Sequence, residues 1–147
     1  MSDRYDVLKL QNQLCFPLYA ASRSVIRLYH PYLSALDLTY TQYIVMLVLW
    51  EEKKCNVTEL GQKLYLDSGT LTPLLKKLES KGYITRTREA SDERCLSVSL
   101  TDEGEKLQHK AASVPKSMAS CVNLSEDEAK SLYCTLYKIL ESLRKDA

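Results

Sequence analysis

Few side chains in this 147-residue chain could do covalent or metal chemistry. Cysteines stand at positions 15, 55, 95, 121 and 134, an odd number with no CxxC spacing, and His30 and His109 are far apart. That pattern argues against a disulfide scaffold and a zinc site, and it points to no metal or cofactor. What is left is chemistry at single thiols. Only a thiolate attacks a peroxide, and an unperturbed cysteine, with a pKa of about 8.5, is little ionised at neutral pH. Hydrogen bonds from nearby hydroxyls favour the charged form. Oxidation then gives a sulfenic acid that can condense with another thiol. Without such partners a free cysteine is most often a small buried hydrophobe. That is the reading for Cys55, Cys95 and Cys134, with Cys95 on an exposed strand face beside Ser97 and Ser99.

A second chemistry is written into residues 68–77. Ser68, Gly69, Thr70 and Thr72 precede Lys76 and Lys77 on the polar side of an amphipathic stretch. Small hydroxyls toward the N-terminal end can reach base edges or phosphates, and lysines further along neutralise phosphates, as suits a helix in a DNA major groove. The plainer alternative is an ordinary helical hairpin with a solvated face. The net charge is only +1, so any positive field must be local.

The elements that must position these groups are legible from spacing. Asn56 and Glu59 form a capping box, with Val57, Leu60 and Leu64 on one face of the helix it opens. Leu66-Asp67-Ser68-Gly69 interrupts the pattern. A second helix carries Leu71, Leu74, Leu75 and Leu78, and Gly82 stands where a C-terminal cap belongs. Tyr83 to Arg88 then reads as a strand bearing Arg86 and Arg88, residues 89–94 as a polar turn containing Asp92 and Arg94, and Cys95 to Leu100 as an alternating strand. Two helices followed by a basic hairpin make a winged helix-turn-helix. Lys53-Lys54-Cys55 links into it, with a short strand against the hairpin.

Outside this unit, residues 7–33 read as a long amphipathic helix striped by Val7, Leu10, Leu14, Leu18, Val25, Leu28 and Tyr29. Pro17 either kinks it or falls in the first turn of a helix that begins near Cys15, and Pro31 ends it. Thr39 and Gln42 cap a helix from Tyr40 to about Glu52 that is apolar nearly all round and must be buried. Thr101 caps a further helix to about Val122, kinked at Pro115, and Ser125 and Glu128 cap a last one lined by Leu132, Leu136, Ile139, Leu140 and Leu143. The expectation is a single domain over 1–147, mainly α with a small β-hairpin wing. The DNA-binding part spans about 39–100 and is flanked by dimerisation helices at about 7–33 and 102–145. The end helices need partners for their stripes, and a second copy is the simplest; a two-fold dimer would read a palindromic double-stranded site. No stretch suits a signal peptide or a membrane span, so a cytoplasmic protein without membrane contact is expected.

The chain resembles the MarR family of winged helix-turn-helix regulators, and within it the organic-hydroperoxide-sensing, OhrR-type branch. The resemblance is carried by NQLCFPLYAASR around Cys15, LTYTQYIVMLVLWE around Tyr40, QKLYLDSGTLTPLLKKLESKGYITR and DERCLSVSLTDEG. It weakens after about residue 105. It implies a homodimeric repressor, not an enzyme, that reads DNA with the Ser68–Lys77 helix and the wing. There an arginine at the position of Arg94 enters the minor groove, oriented by the acid matching Asp92. It implies that Cys15 is the sensing thiol, that Tyr29 and Tyr40 hydrogen-bond its thiolate across the dimer interface, and that Tyr19 is another aromatic near the pocket. Oxidation by an organic hydroperoxide would release the operator. Some relatives resolve the sulfenic acid with a second cysteine late in the penultimate helix, the region of Cys121, with Cys134 as a substitute. Others use one cysteine capped by a small thiol. Pro17 departs from the pattern and bears on Cys15 exposure.

Other functions remain open at this stage. A MarR-type regulator released by a small phenolic or lipophilic ligand would leave Cys15 structural. A thiol peroxidase would use Cys15 as nucleophile, although no thioredoxin-like pattern is present. A winged helix serving protein contacts alone would show no salt-dependent DNA binding.

Overall fold

The computed structural model describes residues 4–145. Two single turns of 3-10 helix, Asp6–Leu8 and Leu10–Asn12, lead into α1 (Cys15–Ser34), α2 (Tyr40–Glu52), β1 (Lys54–Asn56), α3 (Val57–Leu64) and α4 (Ser68–Ser80). β2 (Ile84–Glu89), β3 (Asp92–Leu100), α5 (Asp102–Ala111), α6 (Val114–Ala119) and α7 (Glu126–Lys145) follow. The three strands form one antiparallel sheet in the order β1-β3-β2, with Cys55 and Arg86 both opposite Val98.

Each helix of the centre begins where its sequence offers an acceptor. Thr39 and Gln42 exchange hydrogen bonds at the start of α2, and Asn56 and Glu59 do so at α3. Thr101 accepts from Gly104 at α5, and Ser125 and Glu128 pair at α7. Each cap satisfies main-chain N–H groups that the helix itself cannot. At the end of α4, Gly82 takes φ +77°, and its N–H and that of Tyr83 return to the carbonyls of Glu79 and Leu78. This left-handed cap turns the chain sharply into the wing.

The core gathers Leu33 from α1, Val45, Met46 and Leu49 from α2, Leu60 from α3, Leu71, Leu75 and Leu78 from α4, and Ile84 and Val98 from the sheet, all at most 1% exposed. Burying each such side chain contributes roughly 1.5–3 kcal/mol before chain entropy is set against it. Trp50 closes one end, its indole N–H donating to the carbonyl of Gly104 at 2.8 Å.

Several sequence expectations need correction. Residues 7–14 are not part of the long helix. The side chains of Asn12 and Gln13 bond back to the carbonyls of Asp6 and Val7, which stabilises tight turns instead. The helix starts at Cys15, which puts Pro17 in its first turn, where a missing N–H costs nothing. Pro31 does not end α1, which runs on to Ser34. Proline removes one hydrogen bond, and the burial of Leu33 just beyond it carries the helix through. The helix after the wing is two helices, α5 and α6, with Pro115 in the first turn of the second. The wing strands reach further than expected, leaving only Ala90 and Ser91 as the turn. Leu47 of α2 is exposed at 43%, so that helix is not covered all round.

The end helices keep their apolar stripes in the open. Leu14, Phe16, Leu18, Ile26 and Leu28 are exposed on and before α1, as are Leu132, Tyr133, Ile139 and Leu143 on α7. No helix of the described residues is long and apolar enough to cross a membrane.

Candidate functional site

α4 presents Ser68, Gly69, Thr70, Thr72, Lys76 and Lys77 on its exposed side, opposite the buried Leu71, Leu74, Leu75 and Leu78. Asp67 caps the helix, accepting from the Thr70 N–H at 2.8 Å and from its hydroxyl at 3.1 Å. These bonds hold the Asp67 carboxyl below its usual range. Thr72 donates its hydroxyl to the Ser68 carbonyl at 2.8 Å. Two of the hydroxyls are therefore oriented by their own helix and offer lone pairs and methyl groups outward.

The wing sorts its cations. Arg86 is committed to α4: its Nε and Nη2 donate to Glu79 Oε2 at 2.9 and 2.7 Å, and its main-chain N–H donates to Oε1 at 3.0 Å. It fastens the wing to the helix rather than standing free for a phosphate. Arg88 donates to the Glu93 carbonyl at 2.6 Å across the hairpin. Asp92 accepts from the main-chain N–H of Arg94 at 3.0 Å, so it shapes the chain under Arg94 rather than gripping the guanidinium. Among the described residues Lys76, Lys77 and Arg94 enter no ion pair, whereas Lys53, Lys54, Lys63, Lys81 and Lys106 all do. The uncommitted charge of this region lies on α4 and at the wing tip.

Cys15 is exposed at the first residue of α1. Tyr29 lies fourteen residues further along the same helix, about 21 Å away at 1.5 Å per residue. It packs on Tyr40 with ring centroids 4.9 Å apart, and Tyr43 completes the cluster at 5.9 Å from Tyr29. The structure therefore brings Tyr29 and Tyr40 together and leaves Cys15 of the same chain far from both. Burial, helped by the neighbouring Tyr29, pushes the Tyr40 phenol above its ordinary value and keeps it a hydrogen-bond donor. A cleft of about 410 Å³ opens beside Tyr40, with Ile26, Arg27, His30, Leu33 and Leu38 in its walls. Tyr19 stays near the Cys15 end, accepting from Arg23 at 3.0 Å with the guanidinium over its ring.

Cys121, just past α6, is exposed, and its sulfur lies 3.9 Å from the Tyr32 hydroxyl. That contact raises the Tyr32 phenol above its ordinary value. Tyr32 is three residues beyond Tyr29 on α1, so Cys121 meets that helix about one turn from the tyrosine cluster. Cys134 is exposed on α7, and Cys95 is exposed on the wing, where Asp92 chiefly pushes its thiol up. Cys55 is buried, as expected of a structural thiol, whereas the same expectation fails for Cys134, which stands exposed on α7. The sequence reading missed Tyr32, although its i, i+3 spacing from Tyr29 would have placed it. It also missed Glu79, whose partner Arg86 lies seven residues on across a turn, and Lys81 and Arg144, whose partners are distant in sequence and leave no local signal.

A family model described as transcriptional regulator SarA/Rot matches residues 27–111. The organic hydroperoxide resistance transcriptional regulator of Bacillus subtilis (strain 168) is 45% identical over 145 residues, covering 99% of each chain. The regulator SarZ of Staphylococcus saprophyticus is 48% identical over 127 residues, covering 86% of this chain and 87% of SarZ. Among solved structures, reduced AbfR bound to DNA, from Staphylococcus epidermidis, is 39% identical with a TM-score of 0.76, covering 92% and 94% of the two chains. Its disulfide-formed state is also similar, at 38% identity and a TM-score of 0.63, covering 94% of each. Helix pair, left-handed cap, three-stranded sheet and these matches together place the chain in the MarR- and SarA-type family of winged-helix transcriptional regulators.

Proposed function

We propose that the protein is a cytoplasmic homodimeric repressor that binds a palindromic DNA operator and releases it when an organic hydroperoxide oxidises Cys15. The observation that carries the reading is the separation of Cys15 from a tyrosine pair built where the far end of the same helix meets the start of α2. A thiol about 21 Å from Tyr29 in its own chain can meet those hydroxyls only in a second copy. The apolar stripes of α1 and α7 are the surfaces such a dimer buries. The full-length similarity to a hydroperoxide-resistance regulator, and to a DNA-bound protein also solved in a disulfide form, supports the same conclusion.

DNA recognition follows from the α4 face. Ser68, Gly69, Thr70 and Thr72 lie at the end of the helix that enters the major groove, and Lys76 and Lys77 meet phosphates. Arg94 reaches the minor groove from the wing, set by Asp92. Arg86 keeps the wing at its angle to α4 through Glu79.

The sensing step is a two-electron oxidation. The Cys15 thiolate attacks the distal oxygen of ROOH, the O–O bond breaks, and the departing alkoxide takes a proton to leave as ROH. Cys15 becomes a sulfenic acid. Tyr29 and Tyr40 of the partner subunit donate to the thiolate before the attack, and Ile26, Leu33 and Leu38, in a cleft wall that also carries Arg27 and His30, offer the alkyl group of an organic hydroperoxide its contacts. The partner subunit's Cys121, about one turn from that cluster, then attacks the sulfenic sulfur; a disulfide forms and water leaves. Cys15 is thus consumed as a signal and restored by thiol reductants, which the cytoplasm supplies. Both steps alter the dimer seam and shift the population toward a state whose recognition helices no longer match the operator.

Fluorescence anisotropy on a palindromic sequence from the upstream region of its own gene tests the proposal. Peroxide-driven release that a thiol reductant reverses, and that Cys15→Ser lacks, is the expected result. Tight binding indifferent to peroxide in the wild type would refute it.

A further inference from the structure

α7 stands apart from the rest of its protomer. Nearly every side chain from Glu126 to Arg144 is exposed, the apolar stripe included. Among the described residues one hydrogen bond joins this helix to another element: Arg144 Nη2 donates to the main-chain carbonyl of Gln62, 3.1 Å away. The same guanidinium lies over the ring of Tyr65, 4.9 Å from its centroid. Below it a cleft of about 650 Å³ separates Leu140 and Leu143 of α7 from Val57, Gly61, Leu66 and Leu71.

The position of this contact has a physical reason. Gln62 lies in the last turn of α3, whose final carbonyls find no partner within the helix. The Gly61 carbonyl is taken by the N–H groups of Tyr65 and Leu66, while that of Gln62 receives Arg144. A cation there also meets the negative end of the α3 dipole. Tyr65 holds the left-handed conformation that ends α3, with φ +55°, and Asp67 caps α4 two residues later. Arg144 therefore grips the turn of the helix-turn-helix immediately before the recognition helix. The far end of that helix is held separately, by Lys81 on the Asp37 carbonyl and on Gln42 at the α1–α2 junction.

We propose that Arg144 is a positioning residue that fixes the helix-turn-helix relative to the dimer seam and carries the change at the seam to α4. This rests on the reading of the chain as a dimeric, peroxide-released repressor. The apolar stripe of α7 belongs to the seam, so a rearrangement there moves α7. Its one hydrogen bond to another element among the described residues ends on the turn before Ser68, and the open cleft leaves that turn room to tilt. With the other end of α4 anchored at Lys81, movement of α7 relative to α1 swings the recognition helix.

The test compares wild type with Arg144→Met, which keeps the length of the side chain and removes its charge and donors, and with Arg144→Lys. Operator affinity is measured by anisotropy before and after an organic hydroperoxide and across a salt series, with Cys15 oxidation followed by thiol titration. Arg144→Met should oxidise at Cys15 as wild type does, yet its ratio of reduced to oxidised affinity should fall by about fivefold or more. Its salt slope should be unchanged, and Arg144→Lys should recover part of the ratio. Tyr65→Leu, which removes the ring and leaves the hydrogen bond, should show a weaker form of the same loss, and Tyr65→Phe none. A wild-type ratio in Arg144→Met, or a salt slope reduced by about one phosphate contact, overturns the proposal. A wild type that ignores peroxide defeats the sensor reading instead. The positioning role is then decided in the reduced state, where Arg144→Met must bind about fivefold more weakly at unchanged salt slope and is refuted if it does not.

Discussion

Glu79, in the last turns of α4, accepts the Nε and Nη2 of Arg86 on one carboxylate oxygen and the Arg86 main-chain N–H on the other. Recognition helix and wing are thereby joined by one charge-assisted fork. Arg86 holds the Glu79 carboxyl below its usual range. A depressed folded-state value contributes stability that is present above the unfolded value of about 4.3 and is lost as pH falls through the lower folded value. The wild type should therefore lose stability over Glu79→Gln as pH drops from about 5 toward 3. Paired thermal melts across that range check it, and parallel curves would mean that the fork adds nothing.

The same fork separates Arg86 from the cations that are free. On the proposed reading, Lys76→Gln and Lys77→Gln should each lower the slope of log affinity against log salt by about one, as the loss of a phosphate contact would, and Arg94→Gln should lower it by withdrawing a cation from the minor groove. Arg86→Gln should weaken binding through wing position while leaving the slope intact. Salt titrations of the four variants decide it. Wild-type slopes in all four would place the DNA on another face, and a slope lowered in Arg86→Gln as well would make Arg86 a phosphate contact.

The rings of Tyr29 and Tyr40 lie 4.9 Å apart, and Cys121 meets α1 at Tyr32, about one turn further on. Tyr29→Phe and Tyr40→Phe should slow oxidation of Cys15 by about tenfold, the loss of one hydrogen bond to a charged group, with reduced operator affinity unchanged. Cys121→Ser should abolish the peroxide-induced crosslinked dimer on non-reducing gels, and Cys134→Ser should retain it. A crosslink that survives Cys121→Ser rules out Cys121 as the resolving thiol.

Gly104 is required by packing rather than by backbone conformation. A Cβ there would stand 2.1 Å from the Tyr83 carbonyl and 2.9 Å from Leu100 Cδ1, beside the bond from Trp50 to the Gly104 carbonyl. Gly104→Ala should destabilise the fold by about 3 kcal/mol through forced displacement of α5. Urea unfolding followed by Trp50 fluorescence measures it, and a change below about 1 kcal/mol would show that the backbone yields easily.

The sequence by itself determined the local parts of this molecule. Capping boxes at Thr39, Asn56 and Ser125, leucine spacing in α4 and strict alternation from Cys95 to Leu100 are short-range patterns. Their physics is complete within a few residues, and the structure keeps the caps and the leucine face; the alternation gives the strand, but Ser97 is buried beside Val98 while Leu96 and Leu100 are only half-buried. Cys15 and its two tyrosines were legible as residue types carried by a resemblance. Prolines were harder: whether Pro17 kinks a helix or begins one depends on which side-chain bonds hold residues 6–14, and Pro31 is tolerated because Leu33 beyond it is buried. Only the tertiary structure decided which cations are free, since Arg86 finds Glu79 across a turn. It alone packed Tyr40 of α2 on Tyr29 of α1 and brought Arg144 onto the α3 terminus, 82 residues away in sequence. Those relations depend on where whole helices come to rest, and burial of the shared core decides that; no spacing along the chain encodes it.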